Sequence, residues 1–114
     1  MERMDDVMDQ YLQVLTTTAT REDAQTIADA LVEKRLAGCV QIVGPIVSTF
    51  SWQGKIERAE EWLCMIKSEK SLYSRLEQSI KELHTYETPE IIAVPIVAGS
   101  QQYLQWLSHE LRPQ

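Results

Sequence analysis

Glycine and long apolar runs are scarce in this chain of 114 residues. Its four glycines are widely separated, and no glycine-rich phosphate loop, dinucleotide fingerprint or G-x-S-x-G elbow occurs. Nothing singles out a nucleophile, so we expect a protein that is not an enzyme.

No apolar run approaches the roughly 18–20 residues that cross a bilayer. The first residues, MERMDDVMDQ, also lack the apolar stretch of a secretory signal. We therefore expect a cytoplasmic protein without a membrane partner.

Basic charge is also in short supply. Eleven lysines and arginines face seventeen aspartates and glutamates, which gives a net charge of −6. Binding to nucleic acid depends on a basic surplus that neutralises phosphates. The composition therefore argues against a nucleic-acid partner.

The two cysteines, Cys39 and Cys64, do not form a C-x-x-C pair. Both lie in apparent strands of a hairpin that turns at Gln53-Gly54. Such a turn places Cys39 opposite Ser68 and Cys64 opposite Val43, too far apart for a disulfide. We expect two buried, inert thiols.

The spacing of apolar and β-branched residues along the chain predicts the order β-α-β-β-α-β with a further C-terminal helix. Period-2 and β-branched stretches predict strands at 11–18, 39–52, 55–67 and 91–98, whereas apolar residues at helical spacing predict helices between them. This order indicates an α+β, ferredoxin-like sandwich with an antiparallel sheet and a long β-hairpin. We expect a flexible N-terminal segment at 1–9 and a single domain at 10–114.

Local signals bound the first helix and mark irregular strands. Thr20 can cap the helix with Asp23 three residues on, and Gly38 is placed to end it in a left-handed conformation. Gly44-Pro45 predicts a bend or bulge in the second strand, because proline cannot donate to a ladder. For the same reason Pro95 predicts that the last strand lies at an edge, begins late or contains a bulge.

The predicted hairpin is longer than its own domain can cover. An arm of about 13 residues spans roughly 43 Å, whereas a domain of this size has a radius of gyration near 13–14 Å. The overhanging part carries Phe50, Trp52 and Trp62. Because such side chains are costly to expose, we expect burial against further copies of the chain in a closed ring.

One polar cluster carries metal-ligand chemistry. The segment HTYETPE at 84–90 holds His84, Glu87 and Glu90, and imidazole with carboxylate is a reasonable ligand set for copper or zinc. From the residues alone, a solvated loop is the favoured interpretation. Trp52 can likewise be either a packed residue or part of a binding site. Lys67 can be either a solvated charge or a ligand-binding residue.

The chain resembles the CutA family of divalent-ion tolerance proteins over about 11–111. The matching segments are CVQI at 39–42, GPI at 44–46, FSWQGKIE at 50–57, IK at 66–67, YETPEIIA at 86–93 and YLQWL at 103–107. The resemblance implies a ferredoxin-like homotrimer, similar in architecture to PII signalling proteins, with an association with copper tolerance and copper binding.

The resemblance also implies candidate sites, which this sequence matches only in part. Thr16 stands where copper-binding members have a thiol, and Leu83 stands before His84 where they have paired histidines. A divalent site through His84 with Glu87 or Glu90 is what remains.

A second implied site is a pocket between subunits, where the residues that match the family are Trp52, Lys67, Tyr86 and Glu90. Two functions follow from the resemblance. The first is a cytoplasmic homotrimeric protein that binds a divalent cation, Cu²⁺ or another, with no required cofactor. The alternative is a PII-like regulatory module that binds a small anionic metabolite or a partner protein at the subunit clefts.

Overall fold

The computed structural model describes residues 10–113, so the predicted N-terminal segment 1–9 lies outside the described residues. Its elements are β1 (Tyr11–Thr18), α1 (Arg21–Glu33), β2 (Cys39–Trp52), β3 (Lys55–Glu69), a 3₁₀ turn (Lys70–Leu72), α2 (Tyr73–Leu83), β4 (Ile91–Pro95) and α3 (Gln101–Glu110). The four strands form one antiparallel sheet in the order β2-β3-β1-β4. The predicted ferredoxin-like fold is confirmed, and β4 lies at an edge as Pro95 predicted.

One face of the sheet packs against α1 and α2 and forms the core. Ala24, Ile27, Ala28 and Leu31 of α1 recur at helical spacing and are buried. The Thr20 hydroxyl caps the helix by accepting a hydrogen bond from the Asp23 N–H at 3.0 Å. The core cluster contains Val14, Ala24, Ile27, Leu31, Leu36, Ala37, Cys64, Ile66, Leu76 and Ile80. Among the described helices, none is long and apolar enough to cross a bilayer.

The end of α1 differs from the prediction. The helix stops at Glu33, and Arg35, not Gly38, has the left-handed backbone, with φ of 58°. Gly38 is needed for a different reason: a Cβ there would lie 2.4 Å from the Leu107 Cδ1 atom. The glycine therefore permits close approach of α3 to the strand entry.

A bulge at Gly44-Pro45 shifts the hairpin register by one residue. The turn at Gln53-Gly54 is as predicted, but the pairing skips between Val43 and Ile46. Cys39 is consequently opposite Lys67, where an unbroken ladder would place Ser68. Both cysteines are free thiols, but only Cys64 is buried as expected, whereas Cys39 is half-buried.

The hairpin extends beyond the rest of the domain, as its length predicted. β1 ends opposite Trp62, so the part of β3 nearer the turn pairs only with β2. The molecule measures 51 × 29 × 22 Å along its principal axes. At the far end, Phe50 and Trp52 are 41% and 45% exposed.

The opposite face of the sheet is apolar and only partly covered. Its middle, which we call the open face, consists of Leu15, Val43, Leu63, Met65, Ile92 and Val94, all half-buried or exposed. Among the described elements, α3 reaches only one end of this face, near Tyr11 and Glu69.

A buried carboxylate fastens α3 to the sheet. Glu69 is 3% exposed and accepts hydrogen bonds from the Ser108 hydroxyl at 2.8 Å and from both terminal nitrogens of Arg112 at 3.0 and 3.1 Å. Because Ser108 donates its single hydroxyl hydrogen to Glu69, the Tyr11 hydroxyl is the donor in the 2.7 Å hydrogen bond to Ser108. These bonds join β1, β3 and the C-terminal helix.

Replacing Glu69 should loosen α3 selectively. Glu69→Ala leaves Ser108 and Arg112 without their acceptor, so we expect a loss of about 2 kcal/mol in the free energy of unfolding at fixed protein concentration. Hydrogen exchange should accelerate at 101–110 more than at 73–83. Lys81→Ala is the control: it breaks an exposed i,i+4 pair with Glu77 and should leave the free energy of unfolding nearly unchanged, because exposed ion pairs contribute little. Equal losses in the two variants would contradict the fastening role.

Candidate functional site

The segment between α2 and β4 begins at His84, whose two ring nitrogens both make hydrogen bonds. The backbone N–H of Tyr86 donates to His84 Nδ1 at 3.1 Å, so Nδ1 carries the lone pair. Nε2 therefore carries the hydrogen and donates to the Thr17 carbonyl at 2.7 Å. The Tyr86 ring lies 4.8 Å from the imidazole, which further restricts its orientation. In this arrangement His84 connects the segment to the end of β1.

These bonds restrict His84 as a metal ligand. An imidazole binds a metal through a nitrogen lone pair, and here the Nδ1 lone pair is already directed at a backbone N–H. A cation at His84 would have to displace the Tyr86 N–H or the Thr17 carbonyl. The residues as arranged in one chain do not fit a closed metal site.

The other predicted ligands do not gather around His84. Glu87 and Glu90 are exposed, and within residues 10–113 no three His, Cys, Asp or Glu side chains lie close enough together to hold a metal ion. Thr16, at the position where a thiol was expected from the resemblance, is fully buried, and its hydroxyl lacks a hydrogen-bond partner among the described residues. The site of His84, Glu87 and Glu90 thus stays a prediction, and its completion would require movement of the segment or ligands from another copy.

Glu61 is a buried acid that the sequence reasoning did not identify. It lies on β3 one residue beyond the end of the β1 pairing, is 6% exposed, and accepts a hydrogen bond from the Tyr86 hydroxyl at 2.7 Å. Burial raises the pKa of Tyr86 to about 12, and the negative charges of Glu61 and Asp23 add to this rise. The only sequence signal is an acid directly before the apolar run WLCMI at 62–66.

The predicted inter-subunit pocket is not assembled within one chain. Trp52 pairs with Lys55 at the hairpin turn, and Lys67 lies twelve residues farther along β3, which corresponds to roughly 40 Å. Tyr86 lies between them along the strand, beside Glu61. Glu90 is exposed, and the Lys67 ammonium donates to the Gln41 side-chain oxygen at 2.8 Å. Trp52 and Lys67 could line one pocket only if different copies supplied them, so this site also stays a prediction.

Fold and segment geometry together define a small ferredoxin-like protein with a long hairpin and a fixed His-Tyr segment after the second helix. Comparison with known proteins agrees: the family model described as CutA1 divalent ion tolerance protein matches residues 12–110. The chain belongs to this family.

Individual relatives support the assignment. The divalent-cation tolerance protein CutA of Thermus thermophilus is 45% identical over 94 residues, covering 82% of this chain and 91% of that protein. Human Protein CutA is 44% identical over 91 residues, covering 80% of this chain but 51% of that protein. The chain thus spans about half the length of some relatives.

Solved structures have the same fold. CutA1 from Oryza sativa superimposes with a TM-score of 0.88 at 34% identity, covering 94% of this chain and 98% of that one. The Thermus thermophilus structure gives 0.84 at 43% identity, covering 85% and 94%.

The Glu61–Tyr86 contact predicts that Tyr86 loses its proton at higher pH than an ordinary tyrosine. Because Tyr86 keeps its proton in the fold above its ordinary pKa of about 10, the unfolded state releases that proton first, and the free energy of unfolding should fall as pH rises from about 10 to about 12. An absorbance titration of tyrosinate should lose its last step in Tyr86→Phe. In Glu61→Gln that step should move toward lower pH.

A matched control is Glu77→Gln, since Glu77 accepts a hydrogen bond from the Tyr73 hydroxyl at 3.0 Å and contributes to the raised pKa of Tyr73. This variant should leave the Tyr86 step in place. A last step that is unchanged in Tyr86→Phe would contradict the assignment.

Proposed function

We propose that this protein is a cytoplasmic homotrimer that binds a divalent cation, with Cu²⁺ as the first candidate, and that it has no catalytic activity. The divalent-cation part follows from membership of a family described as divalent ion tolerance proteins. The observation that carries the trimer is the open face, an apolar surface at the centre of the sheet.

The open face continues along the hairpin. Phe50 and Trp52 pair with Glu57 and Lys55 on the side of β3 to which Leu63 also belongs. One chain thus presents apolar side chains on the same side from the sheet centre to the hairpin end, with the charged Glu57 and Lys55 beside the two rings. Exposed apolar groups flanked by polar ones are typical of protein interfaces. A ring lets each hairpin cover a neighbour, and closure leaves no copy with an unmatched face.

The proposed cation ligands are His84, Glu87 and Glu90. His84 supplies the imidazole, and the exposed carboxylates of Glu87 and Glu90 belong to the same segment and can approach it if the segment rearranges. A divalent cation must then compete with two hydrogen bonds of the ring. We therefore expect binding of moderate strength.

The cytoplasmic location is supported by the two unpaired thiols, since disulfides are the usual state of paired cysteines in oxidising compartments. Cell fractionation with antibodies against the protein tests this location. Recovery in a membrane or secreted fraction would contradict it.

The trimer is tested by a matched pair of charge substitutions. Val43, on the open face, is 44% exposed, and Val32, on α1, is 45% exposed. Val43→Glu should dissociate the assembly because it buries a carboxylate in an apolar interface, whereas Val32→Glu should not. Light scattering at micromolar concentration should give three chain masses for the wild type and for Val32→Glu. A wild-type monomer would refute the proposal.

The cation site is tested by calorimetric titration of the metal-free protein with Cu²⁺, Zn²⁺ and Ni²⁺. His84→Ala should weaken Cu²⁺ binding tenfold or more, equivalent to about 1.4 kcal/mol. His109→Ala is the control, because His109 is the other histidine of the chain and is exposed on α3. A double variant, Glu87→Gln with Glu90→Gln, keeps the imidazole and its hydrogen bonds and should also weaken binding.

Unchanged affinity in His84→Ala would exclude this site. Millimolar binding that no variant alters would mean that the acidic surface collects cations without a specific site. The second candidate function, a small anionic metabolite at the subunit clefts, would then take precedence. It is favoured by the distance between Trp52 and Lys67, which only different copies can bridge. In that case Lys67→Ala should abolish stabilisation by the metabolite and His84→Ala should not.

A further inference from the structure

A groove on the outer side of the helix layer has a lining different from the rest of this acidic protein. It lies between the end of α1 and the beginning of α2 and has a volume of about 340 Å³. Lys34 and Leu36 line it on one side, and Ser74, Arg75 and Ser79 on the other. The volume is at the lower end of the roughly 300–1,000 Å³ that is typical of small-molecule pockets.

At the floor of this groove, a buried serine hydroxyl holds the positively charged end of Lys34 in place. The Lys34 ammonium donates to the Ser79 hydroxyl at 3.0 Å, and Ser79 is 5% exposed. An ammonium group has three N–H donors, so two remain for a ligand or water. The ammonium group of Lys34 is therefore held in place by the side chain of Ser79 on α2, at the floor of the groove.

Arg75 adds a second positive charge at the same groove. Within residues 10–113, the ion pairs of the helix layer are limited to Lys81 with Glu77, and neither belongs to the groove. Glu82 is the one acid in the lining, and its carboxylate accepts a hydrogen bond from Gln78 at 3.2 Å. Two cations and one acid give the groove a net positive charge in a chain of net charge −6.

We propose that this groove binds a small phosphate-bearing anion. A guanidinium group matches phosphate oxygens in a bidentate way, and a lysine ammonium is a common point charge for phosphate. The hydroxyls of Ser74 and Ser79 supply further hydrogen-bonding groups, and Leu36 provides an apolar wall. The volume suits a diphosphate or a sugar phosphate better than a whole nucleotide.

The groove is separate from the sites discussed above. It lies in the helix layer, whereas the open face lies on the other side of the sheet. A trimer built through the open face would therefore leave three grooves accessible, and cation binding at His84 would not involve Lys34 or Arg75. Failure of the trimer or of the cation site would not bear on this proposal.

Titration with inorganic pyrophosphate tests the proposal on the intact protein. We expect saturable binding with a Kd of about 1 mM or tighter at low salt, with amide NMR shifts concentrated at 34–36 and 74–79. Lys34→Gln and Arg75→Gln should each weaken binding at least about fivefold. Added salt should weaken it further, because exposed charges are screened.

Lys81→Gln is the matched control, since it removes one positive charge from α2 outside the groove. Its Kd should equal that of the wild type, and thermal unfolding of all three variants shows that each is folded. If Lys34→Gln unfolds, Arg75→Gln alone decides, because Arg75 is exposed and lies outside the core cluster. Absence of binding, shifts scattered over the surface, or an equal loss in Lys81→Gln would overturn the proposal.

Discussion

The open face of the sheet is the constraint on which the rest of the molecule depends. A four-stranded sheet has two faces, and the two long helices cover only one of them. Apolar side chains remain in the middle of the other face, although α3 is fastened over its end by Glu69. A small domain gains little stability from a single core layer, so burying the second face has a large effect on its net stability. The proposed trimer follows from this requirement and from the shape of the chain, independently of any ligand.

His84 illustrates how one residue can have a structural role where a functional one was anticipated. Its imidazole joins the segment after α2 to the end of β1, and the same segment places the Tyr86 hydroxyl on the buried Glu61. A hydrogen-bonded histidine of this kind stabilises the fold without a metal. A cation that binds it must displace at least one of these two hydrogen bonds, each of which contributes about 1 kcal/mol. Cation binding would then weaken the hydrogen bonds through which His84 stabilises the fold.

The sequence predicted those features that depend on periodicity and on strong local signals. Short-range chemistry accounts for the element order, the turn at Gln53-Gly54, the cap at Thr20 and the edge position that Pro95 indicated for β4. The features that it did not predict depend on contacts between distant segments. Gly38 was predicted to end the first helix, whereas its role is to allow the close contact with Leu107. That contact exists only when α3 packs against the sheet.

The candidate sites show the same division. The residue types at 84–90 indicate ligand chemistry, but one of the two hydrogen bonds that occupy His84 is made with Thr17 of β1, nearly seventy positions earlier in the chain. Glu61 was missed because an acid beside an apolar strand is ordinarily solvated, and only the fold shows that Tyr86 covers it. The pocket of Trp52 and Lys67 depends on a second chain, which no periodicity within one chain can describe.

The bulge at Gly44-Pro45 has a consequence for the direction in which the hairpin aromatics point. Before the bulge, the odd-numbered residues of β2, such as Val43, share the open side; beyond it, the even-numbered residues do, because one extra residue reverses the alternation. Phe50 and Trp52 are even-numbered. In an unbroken ladder both rings would point away from the side on which Leu63 lies. A single inserted residue thus sets the phase of the hairpin and places the two rings on the same side as the open face.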